Sequence, residues 1–569
     1  MFRAFAVVAL LFVGATASVV AVTAQETWTP EPAPTGPEFA ATPDAGDPHG
    51  DATADVPRLD SVLPNPVAED DRGEHVVAVF PDRTDLGGWT IADDQGATAL
   101  PNVSVKGRVV LTATPEAIPA GVRERTDRTV AVDGFPELAN GGETVVLARD
   151  GTAVGRLAYE DAPTAERWVG ARWVPRGATD FEPVTAGPGR VRAFVTPDSA
   201  VPLSAIADAE THVSLAGYTY TSGRVTEALV AAADRGASVR VLVDGGPVGG
   251  MTEREVAALD RLVDAGVSVR VVGGDAARYD FHHAKYVVAD DRALVLTENW
   301  KPSGSGGHAN RGWGVELTDG SVAVDALNRT FRADWRAHDA IPWPRYRARV
   351  SPVESTRAAG DYPSRVDPAT VDVESVTVLV APDNAETELV SLVAGANSSV
   401  RIEQMDAGGV DGPLVRATLA AARNGTRVRV LLSSAWYAED ANGRVVDRLN
   451  AVADRENLDL RARLVDPGGR FETLHAKGVV VDERHVVVGS VNWNRNSLRD
   501  NREVAVVVTG DEVGRYYAAA FDADWRGRGS SPGGDRLLGV AAVAAAALAL
   551  LVLSRRVEFG TVEPEEPLR

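Results

Sequence analysis

Residues 475–482 read His-Ala-Lys-Gly-Val-Val-Val-Asp, and after a gap of six residues 489–492 read Gly-Ser-Val-Asn. Residues 283–290 read His-Ala-Lys-Tyr-Val-Val-Ala-Asp, and an asparagine follows them shortly afterwards. The apolar run after each lysine predicts a buried strand, and alternate residues of a strand share one face. The histidine and the lysine of each segment therefore project to the same side. Each segment presents an imidazole and an ammonium group to one volume.

The sequence around these two segments is also duplicated. Val195-Thr-Pro-Asp198 returns as Val380-Ala-Pro-Asp383, and residues 331–335 (Phe-Arg-Ala-Asp-Trp) return as 521–525 (Phe-Asp-Ala-Asp-Trp). A repeat offset by 185 to 190 residues indicates a duplicated domain rather than a solenoid. Amphipathic helix patterns alternate with Val-rich runs in both copies. This alternation predicts an α/β fold with a mostly parallel sheet that is covered on both faces.

Two copies related by a pseudo-two-fold axis bring two histidines and two lysines together, which suits a phosphodiester substrate. One histidine would attack phosphorus, while the other protonates the leaving oxygen and then activates water. The lysines would neutralise the non-bridging oxygens. Candidate phosphate-binding side chains are Asn299, Ser490 and Asn492. Each histidine needs a carboxylate on its far nitrogen, and the candidates are Glu316 and Glu503.

The pattern His-x-Lys-x4-Asp-x6-Gly-Ser-x-Asn resembles the motif of the phospholipase D superfamily, which includes phospholipases, phosphatidyltransferases and metal-independent nucleases. The resemblance runs from Val191 to Trp525 and is complete in the second copy. It implies two tandem phospholipase D-like α/β halves with pseudo-two-fold symmetry and a reaction without metal or cofactor. It makes His283 the nucleophile and His475 the general acid and base. The implied catalytic residues are His283, Lys285, Asp290, His475, Lys477 and Asp482, with both aspartates supporting the site.

The first copy departs from this pattern. Thr297-Glu298 stands in place of Gly-Ser, and one residue is missing before Asn299. The distance from the histidine to the candidate carboxylate is 33 residues in the first copy and 28 in the second. These departures put Thr297 in doubt as a phosphate ligand, whereas the histidine, lysine, aspartate and asparagine are all retained.

Residues 58–168 show short apolar runs separated by turn residues such as Asp150-Gly151, which predicts an all-β sandwich. Two fragments, 85–91 and 135–147, resemble lamin-tail domains, which are immunoglobulin-like β-sandwiches. The segment contains no catalytic constellation. We therefore interpret it as a spacer or a binding module.

The two ends of the chain suggest a membrane protein. Residues 1–24 fit a secretory signal with cleavage near Ala24, or alternatively an uncleaved anchor. Residues 537–553 carry no charge and are just long enough to span a bilayer, and Arg555 and Arg556 behind them orient the tail inward. The predicted organisation is a signal peptide (1–24), an acidic linker (25–57), the β-sandwich (58–168), half 1 (190–340), a linker (341–372), half 2 (373–528), a transmembrane helix (537–553) and a cytoplasmic tail (554–569).

Composition limits the classes of partner. The formal net charge of −22 excludes a general electrostatic binder of nucleic acid or anionic lipid, so a polyanionic substrate needs a local basic pocket. The absence of cysteine excludes disulfides and a cysteine nucleophile. Only four of the 58 basic residues are lysines, and the acidic, lysine-poor composition resembles that of proteins from extreme halophiles. Two of these four lysines lie in the repeated motifs, which argues against a chance match.

Three functions remain open at this stage. The first is a membrane-anchored extracellular phosphodiesterase that acts on phospholipids. The second is a metal-independent extracellular nuclease with the same chemistry, since screening at molar salt weakens the charge argument against DNA. The third is a catalytically inactive scaffold or binding protein, which the altered first motif supports. Because both half-sites lie in one chain, we expect a monomer.

Overall fold

The computed structural model describes residues 56–527, except 67–70, 119, 124, 275–276, 306, 319 and 356–359. The predicted signal peptide, most of the acidic linker, the predicted transmembrane helix and the predicted tail lie outside these residues. Within them, no helix is long and apolar enough to cross a membrane.

The N-terminal part is a two-layer β-sandwich. One sheet has the order β10-β9-β1-β2-β5-β6 and the other the order β4-β3-β7-β8. Their strands are β1 Arg58–Leu63, β2 His75–Asp85, β3 Trp89–Ala92, β4 Ala97–Ala99, β5 Ser104–Thr112, β6 Arg128–Ala131, β7 Gly142–Arg149, β8 Thr152–Glu160, β9 Glu166–Val169 and β10 Arg172–Pro175, with the short helix α1 Ala120–Arg123 before β6. The sandwich therefore continues through β10, beyond the predicted boundary at 168.

Apolar side chains from both sheets fill the space between the layers of the sandwich. Val76 and Val109 come from one sheet, Ile91 and Leu147 from the other, and all are buried in one cluster. The alternation of buried and exposed residues along these strands reflects sheets with one apolar face. The lamin-tail resemblance and the immunoglobulin-like topology stay predictions.

The first α/β half is built on a nine-stranded sheet with the order β19-β15-β14-β13-β16-β17-β18-β12-β20. Its strands are β12 Gly189–Thr196, β13 His212–Gly217, β14 Ser238–Asp244, β15 Ser268–Val272, β16 Tyr286–Ala289, β17 Arg292–Leu296, β18 Gly312–Leu317, β19 Ala340–Pro342 and β20 Ala369–Val373. Its helices are α2 Val201–Ala207, α3 Gly223–Asp234, α4 Glu253–Asp264, α5 Val322–Arg336 and α6 Trp343–Tyr346.

The second half repeats this arrangement in an eight-stranded sheet with the order β11-β21-β27-β26-β25-β22-β23-β24. Its strands are β11 Val184–Ala186, β21 Ser375–Ala381, β22 Ser399–Gln404, β23 Arg427–Leu432, β24 Leu460–Leu464, β25 Lys477–Val481, β26 His485–Gly489 and β27 Glu503–Thr509. Its helices are α7 Ala385–Ala394, α8 Pro413–Arg423, α9 Glu439–Glu456 and α10 Asp511–Trp525, and a π-helical turn spans Asn496–Asp500. The predicted duplication into two α/β halves is confirmed.

The sheets are mixed, so the prediction of a mostly parallel sheet was wrong. Only β13, β14 and β15, and their counterparts β22, β23 and β24, run parallel to one another. The strands that follow each His-x-Lys segment form antiparallel hairpins, β16–β17 and β25–β26. Short connections such as the one between Ala289 and Arg292 join antiparallel strands, because a parallel pair needs a long crossover. A continuous apolar run shows that a strand is buried on both faces but not which way its neighbour runs.

The two halves exchange edge strands and share one core. β11, which precedes half 1, pairs with β21 of half 2, and β20, inside the predicted linker 341–372, pairs with β12 of half 1. Helices α5 and α10 each touch both sheets. Apolar residues from both halves form one central cluster between the sheets. The other helices cover the outer faces of the two sheets.

Two buried arginines hold the halves together symmetrically. Arg311 of half 1 contacts Asp198 of its own half (2.5 Å) and Asp524 of half 2 (2.7 Å). Arg502 occupies the equivalent position in half 2, where it contacts Asp383 of its own half (2.9 Å) and Asp334 of half 1 (3.0 Å). These aspartates are the ones repeated in the duplicated segments 195–198 and 331–335. The repeated acidic residues therefore serve the junction between the halves.

We expect Asp334→Ala to lower the free energy of unfolding by about 3–5 kcal/mol, because Arg502 and Arg278 would then lose a buried carboxylate. Asp454→Ala is the matched control, since Asp454 pairs with Arg461 at the surface and such pairs contribute less than about 1 kcal/mol. Urea unfolding followed by tryptophan fluorescence measures both. Equal unfolding midpoints for the two variants would contradict the interpretation of this junction.

Candidate active site

The two His-x-Lys segments meet at the junction of the halves. Lys477 is the first residue of β25, and Lys285 immediately precedes β16. The backbone N–H of His283 donates to the carbonyl of Arg502 (2.9 Å), and the N–H of His475 donates to the carbonyl of Arg311 (2.8 Å). Each histidine is thus fixed by the backbone of the opposite half. The structure thus brings the two histidines and the two lysines together at this junction, as predicted.

Each imidazole is oriented by a carboxylate from the opposite half. Nδ1 of His283 lies 2.8 and 2.9 Å from the two carboxylate oxygens of Glu503. Nδ1 of His475 lies 3.1 Å from Oε1 of Glu298. All four side chains are buried or nearly so. The predicted orienting residue Glu503 is therefore in place, but it serves the histidine of the first half.

The prediction that Glu316 orients a histidine was wrong. Its carboxylate lies 3.9 Å from Arg192 and 3.9 Å from Arg292 and contacts neither imidazole. Glu316 lies four residues along β18 from Gly312, which is about 13 Å from the end of the strand where the histidines lie. The prediction rested on distance from the histidine along the chain, whereas strand register sets the position.

Strand pairing shows how Glu298 reaches this position. The N–H of Trp313 donates to Oγ1 of Thr297 (2.9 Å), as the N–H of Val504 donates to Oγ of Ser490 (3.1 Å). Thr297 is thus the counterpart of Ser490, so Leu296-Thr297, and not Thr297-Glu298 as predicted, stands in the place of Gly489-Ser490. Gly312, the first residue of β18, is the counterpart of Glu503. The first copy is one residue shorter because its β16–β17 turn has one residue fewer than the β25–β26 turn.

Glycine at position 312 makes room for the carboxylate. A Cβ atom at this position would lie 2.3 Å from Cγ of Glu298, so any larger residue would collide with it. In the first half the carboxylate is carried at the end of β17, and in the second half at the start of β27. The sequence signal was present in the Thr297-Glu298-Asn299 departure, which substitutes an acidic residue where the complete motif has Val491.

Both imidazoles are neutral at physiological pH. Burial lowers the pKa of His283 to about 4 against the opposing effect of Glu503, and the pKa of His475 likewise falls to about 4. Burial works to raise the pKa of Glu503 and of Glu298, but the histidine and lysine beside each carboxylate outweigh it and hold the pKa below its usual value. An ionised carboxylate only accepts hydrogen bonds, so Nδ1 carries the hydrogen and Nε2 presents a free lone pair.

The two lysines are buried beside the histidines. Nζ of Lys285 and Nζ of Lys477 donate to the carbonyls of His283 (2.5 Å) and His475 (2.9 Å). Burial lowers the pKa of Lys477 to about 8 and that of Lys285 well below its usual value, with Lys477 adding to the effect on Lys285. A phosphate anion beside them would counteract these effects and favour both charged lysines.

The predicted phosphate-binding residues fall into two groups. Asn299 and Asn492 lie at equivalent ends of the motifs, and the Oδ1 atom of each is buried without a hydrogen-bond partner. Ser490 is fully buried, and its hydroxyl is held by the backbone of Val504 and bonds to Glu503. A phosphodiester offers only acceptor oxygens, so these asparagines would bind it through their Nδ2–H groups and not through Oδ1. Ser490 is instead placed to support Glu503.

Asp290 and Asp482 lie in the hairpin turns, away from the imidazoles. Asp290 accepts hydrogen bonds from the N–H groups of Glu210, Thr211 and His212 (2.8–2.9 Å). Asp482 accepts equivalent bonds from residues 397–399. These bonds hold the pKa of each carboxyl well below its usual range despite the opposing effect of burial. This placement agrees with the expected supporting role.

Tyr218 is a residue that the sequence argument did not include. It directly follows β13, and its ring packs edge-on against His283, with centroids 4.6 Å apart. Nζ of Lys285 lies 5.3 Å from the centre of the same ring. The counterpart in the second half is Met405, which directly follows β22, so the two sides of the site differ. An aromatic residue at the end of a buried strand was the available signal.

Comparison with known proteins identifies a domain family. The family model described as "Cardiolipin synthase, PLD-like domain" matches residues 203–335 and 389–525. The human mitochondrial cardiolipin hydrolase is 30% identical over 112 residues, which cover 20% of this chain and 40% of that protein. The human 5'-3' exonuclease PLD3 is 24% identical over 338 residues, which cover 52% of this chain and 64% of that protein. The chain thus spans less than two thirds of these relatives.

Two solved structures align with parts of this chain. A phosphatidylserine synthase from Haemophilus influenzae aligns over 59% of this chain and 86% of its own, with 12% identity and a TM-score of 0.44. Nuc from Salmonella typhimurium, described as a phospholipase D family member, aligns over 27% of this chain and 97% of its own, with 21% identity and a TM-score of 0.24.

Proposed function

Because residues 203–335 and 389–525 match the family model of phospholipase D-like domains, we propose that this protein is a phosphodiesterase that works through a phosphohistidine. One observation carries the proposal. Two neutral histidines, each fixed at Nδ1 by a carboxylate of the opposite half, lie beside two buried lysines. This arrangement supplies a nucleophile, a proton carrier and two cations in one site.

The reaction proceeds in two displacements. Nε2 of His283 attacks phosphorus, a P–N bond forms, and the P–O bond to the leaving group breaks while His475 donates a proton to that oxygen. His475 then takes a proton from water, whose oxygen attacks phosphorus and breaks the P–N bond. The bound anion favours the protonated form of His475 that the first step requires. The order of the two histidines follows the family resemblance.

Several features support an active enzyme rather than an inactive scaffold. The departure of the first motif from Gly-Ser favoured the scaffold, but the substituted Glu298 supplies the carboxylate that His475 needs. Asn299 and Asn492 lie at equivalent ends of the two motifs, and their Nδ2–H groups are the amide donors that a phosphate oxygen would accept from. One chain carries both halves, so a monomer is sufficient.

For the substrate we propose phospholipids, cleaved by an enzyme anchored to the cell membrane with its body outside the cell. The similarity to a cardiolipin hydrolase and the predicted apolar segment 537–553 support this choice. A nuclease is the second candidate, because the similarity to an exonuclease covers 52% of this chain.

The test is to trap the intermediate. The full chain is mixed in high salt and chelator with a phosphatidylcholine dispersion labelled with ³²P in the phosphate, and quenched in denaturant within one turnover. We expect acid-labile, alkali-stable label on the protein, which is lost in His283→Ala and retained in the matched surface variant His212→Ala. Plasmid DNA in a parallel reaction tests the nuclease. Unlabelled protein during turnover, or activity that the chelator abolishes, would refute the mechanism.

A further inference from the structure

Apolar side chains stand exposed at the mouth of this site. In the described part of the chain, the large hydrophobic residues that remain exposed are Val56, Val248, Val322, Val353, Trp436 and Tyr437. Trp436 is 88% exposed and Val248 is 80% exposed. These two lie in the loops after β23 and β14, which are equivalent strands of the two sheets. The loops flank the site from opposite halves.

Val248 is connected to the first half of the site. Its backbone N–H donates to the hydroxyl of Tyr218 (2.7 Å), and the ring of Tyr218 packs on His283. Val353 lies on the same side, because its N–H donates to the carbonyl of Met251 in the same loop (3.0 Å). Two exposed valines therefore lie on the side of the site where Tyr218 packs on His283.

Trp436 and Tyr437 are connected to the second half of the site. β23 ends at Leu432, and the following N–H of Ser433 donates to the carbonyl of Gln404, which pairs with Lys477. Tyr437 is about half exposed, and both its partial burial and the nearby Glu298 carboxylate raise its pKa. The ring of Trp436 stands edge-on to that of Tyr437, with centroids 5.5 Å apart. The aromatic pair thus follows the end of a strand whose neighbour, β22, pairs with Lys477 of the site.

The aromatic loop has a defined conformation. The N–H of Ala435 donates to Oγ of Ser433 (3.3 Å), the N–H of Ala438 donates to the carbonyl of Ala435 (2.8 Å), and Nδ2 of Asn442 donates to the carbonyl of Ser433 (2.9 Å). These bonds on both sides of Trp436 hold its ring away from the core. An indole kept in water loses the favourable transfer that burial would give, so its exposure requires an explanation.

We propose that the rim formed by Val248, Val353, Trp436 and Tyr437 inserts into the surface of a phospholipid bilayer and delivers the head-group phosphodiester to the histidines. This inference rests on the proposed function and assigns the bilayer surface as the form of its substrate. Tryptophan and tyrosine favour the membrane–water interface, where an apolar ring body and a polar edge are both satisfied. The two valines add apolar surface on the opposite side of the mouth.

The charges around the rim favour a lipid surface over a nucleic acid. Glu439 and Asp440 follow the aromatic pair after one alanine, and the whole chain carries a net charge of −22. A nucleic-acid track needs basic residues along the phosphates and aromatic faces for successive bases. Valine offers no face for base stacking. A zwitterionic bilayer, by contrast, imposes no net repulsion on an acidic rim.

The immersion of the rim is measured directly with spin labels. The chain contains no cysteine, so Trp436→Cys, Val248→Cys and Val322→Cys each give one labelling site in the full-length protein. Val322 is a matched control, because it is exposed at the start of α5 and lies outside the rim. On phosphatidylcholine vesicles we expect the labels at 436 and 248 to gain collisions with oxygen and lose collisions with an aqueous nickel complex. The label at 322 stays aqueous.

Turnover gives a second readout. Trp436→Ser should lower hydrolysis of vesicular phosphatidylcholine by about tenfold or more, which corresponds to the loss of one buried aromatic side chain. Hydrolysis of monomeric short-chain phosphatidylcholine should stay unchanged. Two results would contradict insertion of the rim into the bilayer. One is that the labels at 436 and 248 remain as aqueous as the label at 322, and the other is that a single-stranded oligonucleotide immobilises them instead. If the labels are immersed but neither lipid is hydrolysed, the proposed function is contradicted, whereas insertion of the rim into the bilayer is supported.

Discussion

The His283→Ala variant is expected to lose at least about 10⁴-fold in kcat on any phosphodiester substrate, and His475→Ala should lose a similar amount. His283 supplies the atom that attacks phosphorus, and His475 supplies the proton for the leaving oxygen. Because the two act as a unit, the double variant should be little worse than either single variant. Initial rates under saturating substrate measure all three.

The two variants should differ in a second respect. His475→Ala retains the nucleophile, so a substrate with a good leaving group, such as a nitrophenyl phosphodiester, should still release nitrophenol in a burst. His283→Ala should give no burst. A burst from His283→Ala and none from His475→Ala would reverse the assigned roles. Near-native steady-state activity in either variant would exclude the two-histidine mechanism.

The Glu298→Gln variant is expected to lower kcat by about 10²-fold or more with little change in KM. Glutamine has nearly the same shape, but its neutral amide cannot favour the Nδ1–H tautomer or stabilise the imidazolium that forms on His475. The same carboxylate-to-amide change beside a catalytic histidine can cost as much as about 10⁴-fold in kcat. The loss should appear mainly in the chemical step, since Glu298 is buried behind the ring.

Two further variants separate this role from a purely structural one. Glu316→Gln is the matched control, and it should retain full activity because Glu316 faces Arg192 and Arg292. Glu298→Val combined with Gly312→Glu rebuilds the arrangement of the second half, with the carboxylate on the following strand. The combined variant should regain part of the activity that Glu298→Val loses. Full activity in Glu298→Gln, or a loss in Glu316→Gln, would contradict the assignment.

Most of the domain organisation and part of the active site could be predicted from the sequence. The duplication, the two α/β halves, the preceding β region and the convergence of two histidines and two lysines were predicted from local patterns. The placement of each histidine beside its lysine could be predicted because alternate residues of a strand point to the same face. This holds for a His-x-Lys segment in any strand. Glu503 was also identified, although its histidine was not.

The tertiary structure decided the direction of the strands, the partners of the histidines and the surface around the site. Glu298 rather than Glu316 serves His475, because the register of β18 on β17 and the packing of one half on the other set which carboxylate arrives. The sheets are mixed because the chain returns in hairpins that an apolar run does not reveal. Trp436 and Val248, 188 residues apart in sequence, lie in the loops after equivalent strands of the two sheets. Contacts across the junction depend on packing between distant segments, whereas the residue types in each motif are written in the sequence itself.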